Sequence, residues 1–432
     1  MTAALPSRVI SWYGDDFTGS TDALEALAPH MPSVLFLRRP DDASFAPFAD
    51  YAAFGLAGSS RSETPEWMDA NLPATFAWLE SLGTEVCHYK VCSTFDSAPG
   101  MGNIGRALEI GRRVFGGASA PIVVGAPPLG RYTFFGNLFA RAGDTIHRID
   151  RHPTMRCHPV TPMGEADLRL HLAAQTTLDI GLLDAVQLES SGAAERYRNL
   201  RQSCQAVLID VMNQATLAQA GSLLWGADRA RFIVGSSGVE YALLAHWGLE
   251  RPAAIAAEPV DRIVVLSGSC SPVTASQIEF AHRSEAFAPV RLDARALTSA
   301  GASGAAEQAC RSALESLRQG RSPVLYTAAT PEDRIEDFQA RQSLGEQAGR
   351  ILARVLDQSG VRRAVIAGGD TSSHGGQQLG IDALTFVAHL APGAPLCRAW
   401  SRDPRRRDLE IVFKGGQCGR EDFFELVRKG RN

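Results

Sequence analysis

Two adjacent carboxylates, Asp15 and Asp16, follow a short apolar run in the segment GDDFTGSTD (Gly14–Asp22), among the hydroxyls of Thr18, Ser20 and Thr21. At the C-terminal end of a strand, such a pair could orient a substrate hydroxyl, hold Mg²⁺ or accept a proton. Asp16 or Thr18 could equally cap the next helix, and capping by one leaves the other role intact. The spacing argues against an aspartyl-nucleophile phosphatase. That chemistry uses Asp-x-Asp-x-Thr, and Gly14 stands where the first Asp belongs.

Three more apolar runs end in the same kind of cluster: FIV before GSSGVE (Gly235–Glu240), IVVL before SGSCSPVT (Ser267–Thr274), and AVIA before GGDTSSHGG (Gly368–Gly376). A buried strand feeding a Gly-rich turn leaves backbone N–H groups at a helix start, where the dipole favours phosphate or carboxylate. The paired Gly368 and Gly369 allow close approach of backbone to a phosphate, with Thr371 and Ser372 as further donors and a helix start near Ser372 or Ser373. Pro272 fits the first turn of a helix capped by Ser269 or Ser271. Lys90, in KVCSTFDS (Lys90–Ser97), and Arg61, in GSSRSE, each follow a strand and suit an anionic substrate, Arg61 through its bidentate fork. The bland alternative for Lys90 is a lone, snorkelling side chain.

Other chemistries lack their signatures. There is no Walker A segment and no G-x-G-x-x-G at these strand ends, which disfavours a P-loop enzyme and a NAD-dependent oxidoreductase. DRHPTMRCHPVTPM (Asp150–Met163) gathers His152, Cys157 and His158 but offers neither a fourth ligand nor zinc-site spacing, and its prolines predict a rigid extended loop. Arg405, Arg406 and Arg407 predict a solvated turn.

The elements that must position these residues follow from an alternation of short apolar runs and helical patterns, the mark of βαβ units. Strands are expected at Arg8–Trp12, Val34–Leu37, Ala52–Leu56, Val86–Val91, Ile122–Gly125, Val207–Val211 and Phe232–Val234, with helices at Trp67–Leu82, Ile104–Phe115 and Leu217–Gly226. The Ala- and Pro-rich Gly248–Pro259 reads as a linker. The pattern then restarts with strand Ile263–Leu266, helix Pro272–His282, strand Val290–Leu292, helix Ala305–Arg318, strand Val324–Tyr326, helix Asp337–Gln358 and strand Ala364–Ala367. Short antiparallel strands are expected over Leu384–Phe413, and a last helix at Asp422–Arg428. This predicts a two-domain α/β protein of mostly parallel sheets flanked by helices, with the active site in the interdomain cleft.

The 432 residues allow two domains with full cores, and the 45% hydrophobic and 21% charged fractions are those of an ordinary globular chain. A net charge of -4 argues against nucleic acid as the main partner. Eight scattered cysteines without a CxxC pair, no signal-peptide pattern and no long apolar run lead us to expect a reduced, cytoplasmic protein without a membrane span.

Taken together, GDDFTGSTD, KVCSTFDS, GNIGRALEIG (Gly102–Gly111), HPVTPM (His158–Met163), SGSCSPVTASQI (Ser267–Ile278), GGDTSS and KGGQCGREDFF (Lys414–Phe424) resemble the four-carbon acid sugar kinase family, in family order from residue 14 to residue 424. The resemblance implies a substrate-binding domain over residues 1–250 and a nucleotide-binding domain over 258–432. It also implies ATP with Mg²⁺, phosphoryl transfer to a hydroxyl of a small acid sugar, and a homodimer. Carried over by position, Asp15, Asp16, Arg61, Lys90, Val91, Cys92 and Ser93 would contact the acid sugar, with Asp16 as the base. Ser269, Gly368, Gly369, Asp370, Thr371, Ser372, Gly415, Gly416 and Gly419 would hold ATP; the metal ligands stay open. Many members have Glu where Asp370 stands, GNFG in place of GQCG, and a carboxylate at Cys92. Candidate acceptors are 3-oxo-tetronate, threonate or erythronate, and branched 3-oxo-isoapionate, toward which YGDDFTGSTD leans. A non-catalytic two-lobed sensor of the same ligands is the alternative.

Overall fold

The computed structural model describes residues 5–158, 160–249, 253–299, 302–330, 333, 335 and 337–431. By contact density the chain forms two compact units. One comprises Met1–Asp15, Ala26–Ser33 and Pro47–Pro252; the other comprises Asp16–Glu25, Val34–Ala46 and Ala253–Asn432.

The strands of the first half, in chain order, are β1 (Ile10–Gly14), β2 (Ser33–Phe36), β3 (Ala53–Ala57), β4 (Val86–Lys90), β5 (Ala120–Val123), β6 (Arg131–Phe134), β7 (Asn137–Ala142), β8 (Thr145–Arg148), β9 (Ile180–Leu183), β10 (Ala206–Ile209) and β11 (Phe232–Gly235). Seven of them form the parallel sheet of the first unit in the order β3-β1-β4-β11-β5-β10-β9. Parallel strands covered by helices on both faces must be apolar on both, and every residue of β1, β3 and β4 is buried. The chain leaves β1 for β3 on one side and returns to β4 on the other. That reversal opens a crevice beyond the strand ends, the usual seat of a ligand. In register, Gly14 lies opposite both Ala57 and Lys90.

The second unit contains β12 (Val264–Ser267), β13 (Phe287–Arg291), β14 (Ser322–Tyr326), β15 (Arg363–Ala367), β16 (Ala383–Ala391), β17 (Ala394–Trp400) and β18 (Glu410–Lys414). Their order is β13-β14-β12-β15-β18-β17-β16, with β2 antiparallel to β16. Here the order reverses between β12 and β15, whose last residues, Ser267 and Ala367, are paired. Ile263, Val265, Ile278, Phe287, Val365, Val412, Phe423 and Val427 share one apolar core. Within it the fully buried Arg363 guanidinium ties distant segments together. It donates to Glu410 Oε2 (2.7 Å), to the carbonyl of Val427 (2.9 Å) and to that of Glu258 (2.8 Å).

Four local expectations need correction. The tail is not a purely antiparallel set: β18 runs parallel to β15 and antiparallel only to β17. The antiparallel sheet β6-β7-β8 and the edge strand β9 were not foreseen. Asp150–Met163 is not simply extended, since single 3₁₀ turns form at Ile149–Arg151 and Met155–Cys157. Arg406 is buried rather than solvated, donating to the carbonyls of Leu379 (2.9 Å) and Ala353 (3.1 Å) and pairing with Asp357. Residues 250–252 of the expected linker lie outside the described residues; beyond them, Ala257 and Val260 donate to the carbonyls of Gly430 and Arg428.

Asp210, just past β10, is fully buried and accepts from the amides of Gly136 (3.1 Å) and Ala185 (3.2 Å), anchoring the β6–β7 turn. Burial outweighs these bonds and pushes its carboxyl up to about 6, from 3.8. A raised carboxyl stabilises the fold fully below its unfolded value, and the benefit disappears as pH rises through the folded one. We therefore expect the wild type to gain about 1.4 kcal/mol on acidification from pH 7.5 to 5 relative to Asp210→Asn. Thermal melts of both proteins across that range check this; parallel profiles would contradict the assignment.

Candidate functional site

The C-terminal ends of β1, β3 and β4 bring the first constellation together through main chain. The Asp15 amide donates to the Lys90 carbonyl (2.9 Å), and the Asp15 carbonyl accepts from the Arg61 amide (3.1 Å). Three residues 75 positions apart at the extremes thus share one level of the sheet. Asp15 is buried, and so is Lys90, whose Nζ donates to the Val91 carbonyl (2.9 Å), so it does not snorkel. Below them Tyr13 and Tyr89 stack with centroids 5.9 Å apart, and the Tyr89 hydroxyl shares a hydrogen bond with Ser60 Oγ (3.0 Å). Burial first, and then the Asp15 charge, push both phenols well above their ordinary value. They serve as neutral, apolar flooring.

Arg61 is held from its side-chain end by Asp96, a residue the sequence reading left without a role. The fully buried Asp96 accepts at Oδ2 from Arg61 Nη2 (2.7 Å) and Thr161 Oγ1 (2.8 Å), and at Oδ1 from Thr94 Oγ1 (2.5 Å). Burial alone would raise this carboxyl, yet the charges of Arg61 and His158 and the two threonine hydroxyls hold it well below the usual range. An ion pair of this kind fixes the direction of the guanidinium fork. Of the remaining expected acid-binding residues, Val91 is buried with its amide on the Gly235 carbonyl (2.8 Å), while Cys92 is partly exposed, its Sγ 3.0 Å from Thr94 Oγ1. Ser93 is also partly exposed.

Asp16 caps the helix Phe17–Leu27: its Oδ1 accepts from the Gly19 amide (2.5 Å) and the Thr18 hydroxyl (3.0 Å). Its other oxygen lies 3.7 Å from where a Cβ on Gly369 would stand. The next amide, Phe17 N–H, donates to Ser373 Oγ (3.4 Å). The expected base and the Gly-rich turn after β15 therefore meet.

That turn begins at Gly368, whose φ of +114° only glycine adopts readily, and leads into the helix Gly369–Gln377, three to four residues earlier than expected. Opposite it, Ser271 rather than Ser269 caps the helix Pro272–Arg283, accepting from the Val273 amide (3.2 Å). Ser269 instead faces the glycine loops: its Oγ would lie 2.6 Å from a Cβ on Gly416, and its Cβ 3.4 Å from one on Gly368. Thr371 also lies here, its Oγ1 2.1 Å from a Cβ placed on Gly268. Ser269, Gly368, Gly369, Thr371 and Gly416 thus line one close-packed backbone cradle. Gly415 faces open space. Ser372 is turned inward, its hydroxyl donating to the Ile366 carbonyl (3.3 Å), and Gly419, at φ +83°, packs on the Phe423 ring. The side chain of Asp370 lies outside the described residues.

Lys414 adds a cation to this cradle. It ends β18 fully buried, donates to Thr274 Oγ1 (3.1 Å), and sits 5.9 Å over the Phe423 ring; Thr274 Oγ1 in turn donates to the Gly416 carbonyl (2.8 Å). Burial lowers its ammonium to about 8. A lysine closing an apolar run directly before two glycines was the available signal. Asp96 was likewise inside the quoted KVCSTFDS, but its partner Arg61 is set by strand adjacency, which no spacing reveals. Among the described residues no group of three His, Cys, Asp or Glu forms a metal cluster, and no helix is long and apolar enough to cross a membrane.

Residues 10–243 match the family described as a sugar-binding N-terminal domain, and residues 264–424 match the nucleotide-binding C-terminal domain family. The chain is 48% identical to a 3-oxo-isoapionate kinase of Paraburkholderia graminis, over 100% of this chain and 96% of that protein. It is 30% identical to a 3-oxo-tetronate kinase of Pectobacterium atrosepticum, over 96% and 97%. A solved structure from Salmonella typhimurium LT2 superposes with a TM-score of 0.77 at 25% identity, covering 98% of this chain and 99% of that one. With both family matches and a full-length relative of such identity, the chain belongs to the four-carbon acid sugar kinase family and is a phosphotransferase of sugar acids.

Proposed function

We propose that this enzyme transfers the γ-phosphoryl group of ATP to a hydroxyl of a branched four-carbon-backbone oxo acid of the 3-oxo-isoapionate type. The observation that carries the reading is the pairing of neighbours at the end of β1. Asp15 is bonded through its backbone to Lys90 and Arg61, while Asp16 stands beside Gly369 at the start of the glycine-headed helix. The greater identity to the 3-oxo-isoapionate kinase (48%) than to the 3-oxo-tetronate kinase (30%) supports the branched acceptor.

Phosphoryl transfer asks the protein mainly to position the reactants and to offset charge. Arg61, oriented by Asp96, and Lys90 would hold the substrate carboxylate. The amides at Gly369 and Thr371, the Ser269 hydroxyl and the backbone at Gly415 and Gly416 would hold the polyphosphate, with Lys414 supplying a positive charge behind Thr274. Asp16 would accept the proton of the attacking hydroxyl, a step for which its helix cap fixes the carboxylate plane. Magnesium, held chiefly by nucleotide phosphates as is usual for this ion, would neutralise developing charge.

A coupled ADP-release assay across 3-oxo-isoapionate, 3-oxo-tetronate, threonate and erythronate tests the function. We expect kcat/KM at least tenfold higher for the branched oxo acid, and ATP binding without turnover of any acid would end the kinase reading. Asp16→Asn should lower kcat by about 10²–10⁴-fold while the Kd for ATP, by calorimetry, changes little. Lys414 is charged below about pH 8 and loses its proton above it. The KM for ATP should therefore rise between pH 7.5 and 9 in the wild type and stay flat in Lys414→Met.

A further inference from the structure

The GNIG turn, residues 102–105, opens the helix Ile104–Val114 and lies against the 3₁₀ turn after β3 that carries Arg61. Gly102 sits at φ +60°, and its amide donates to the Glu63 carbonyl (2.9 Å). A Cβ built on Gly102 would stand 2.6 Å from the Arg61 carbonyl oxygen and 3.4 Å from the Arg61 Cα. The first distance is too short for a methyl group, and the obstacle is main chain, which cannot swing aside as a side chain could. The same turn also reaches the loop that holds the Arg61 side chain. The amides of Ile104 (2.9 Å) and Gly105 (3.4 Å) donate to Gln175 Oε1. A backbone N–H can only donate, so these bonds fix which way the Gln175 amide points, and its Nε2 donates to Ser97 Oγ (2.8 Å). Ser97 follows Asp96, whose Oδ2 accepts from Arg61 Nη2 (2.7 Å). The loop needs such a hold, because Phe95, wholly buried, sits at φ +55°, a conformation that strains a bulky side chain.

We propose that the GNIG turn is the positioning element for Arg61. Gly102 sets where the Arg61 main chain lies, and Gln175, through Ser97, steadies the Asp96 loop that aims the guanidinium. The inference rests on the acid-binding role given to Arg61 above and deepens it. Gly102, Ser97 and Gln175 act through Arg61 and are positioning residues. A guanidinium fork matches a carboxylate only at one place and angle, and a displacement of about 1 Å can cost on the order of 10²-fold.

The test is calorimetric binding of 3-oxo-isoapionate, without ATP, and of ATP alone, to the wild type, Gly102→Ala, Ser97→Ala and Arg61→Gln. Gly83→Ala is the control: Gly83 has the same left-handed backbone (φ +69°) but nothing within 4 Å of an added Cβ, so its variant carries the strain without the collision. We expect both glycine variants to melt lower, but only Gly102→Ala to raise the Kd for the acid, by about tenfold or more. Ser97→Ala should raise it about threefold or more, and ATP affinity should stay unchanged throughout. Arg61→Gln, which keeps an N–H for Asp96, should also weaken the acid; adding Gly102→Ala or Ser97→Ala to it should then change the Kd less than about twofold. Additive losses, or a wild-type Kd in Gly102→Ala, would overturn the inference while leaving Arg61 its role. Should Gly102→Ala fail to fold, a wild-type Kd in Ser97→Ala overturns it instead. An unchanged Kd in Arg61→Gln would remove the acid-binding role of Arg61 and this inference with it.

Discussion

The parallel registry of β1 with β3 and β4 governs the placing of Asp15, Arg61 and Lys90 in the first unit. Because Gly14 pairs with Ala57 on one side and Lys90 on the other, the residues that follow the three strands emerge at a common height. The Asp15 peptide then needs only its own amide and carbonyl to connect the Lys90 and Arg61 segments. A one-residue slip in either pairing would invert the side chains of that strand across the sheet and dissolve the constellation. The second unit repeats the principle with β12 and β15, whose aligned ends bring Ser269 against the glycine turn.

Electrostatics then divides the work between fixed and adjustable charges. Asp96 is a buried anion satisfied by a cation and two hydroxyls, and removing its principal partner would strand it at a cost of about 3–5 kcal/mol. Arg61 is therefore constrained structurally as well as chemically. Lys414 is the converse, a buried cation with a hydroxyl for its partner and an aromatic face nearby, so desolvation leaves its proton loosely held. The first arrangement makes a rigid anchor; the second makes a charge that responds to its surroundings.

Much of this was legible in the sequence. The four strand-turn-helix segments stood out because parallel strands buried on both faces read as uninterrupted apolar runs ending in Gly, Ser, Thr and Asp. The expected strand ends fell within a few residues of the observed ones, as for Val86–Lys90 and Arg363–Ala367. What stayed hidden depends on adjacency rather than pattern. The run Glu410–Lys414 looks the same whether it pairs parallel with β15 or antiparallel with a hairpin neighbour. The β6-β7-β8 sheet is short, half exposed and mixed in polarity, so no period of two marks it out. Arg61 and Asp96 lie on different strand ends, and only the sheet order makes them partners. Arg406 sits in a run that composition assigns to solvent, but the carbonyls of Ala353 and Leu379 offer it a polar slot.

Arg363 gives the C-terminal end of the chain more influence than its position suggests. Its guanidinium spends donors on the Val427 and Glu258 carbonyls, so the closing helix and the segment entering the second unit are both stitched to the strand that delivers Gly368. Trimming that helix, or fusing a bulky tag against it, would leave a buried cation with unmet donors at the root of the glycine turn. Engineering at the tail is therefore an intervention on the glycine turn after β15, and an appended sequence is better separated from Lys429 by a flexible spacer.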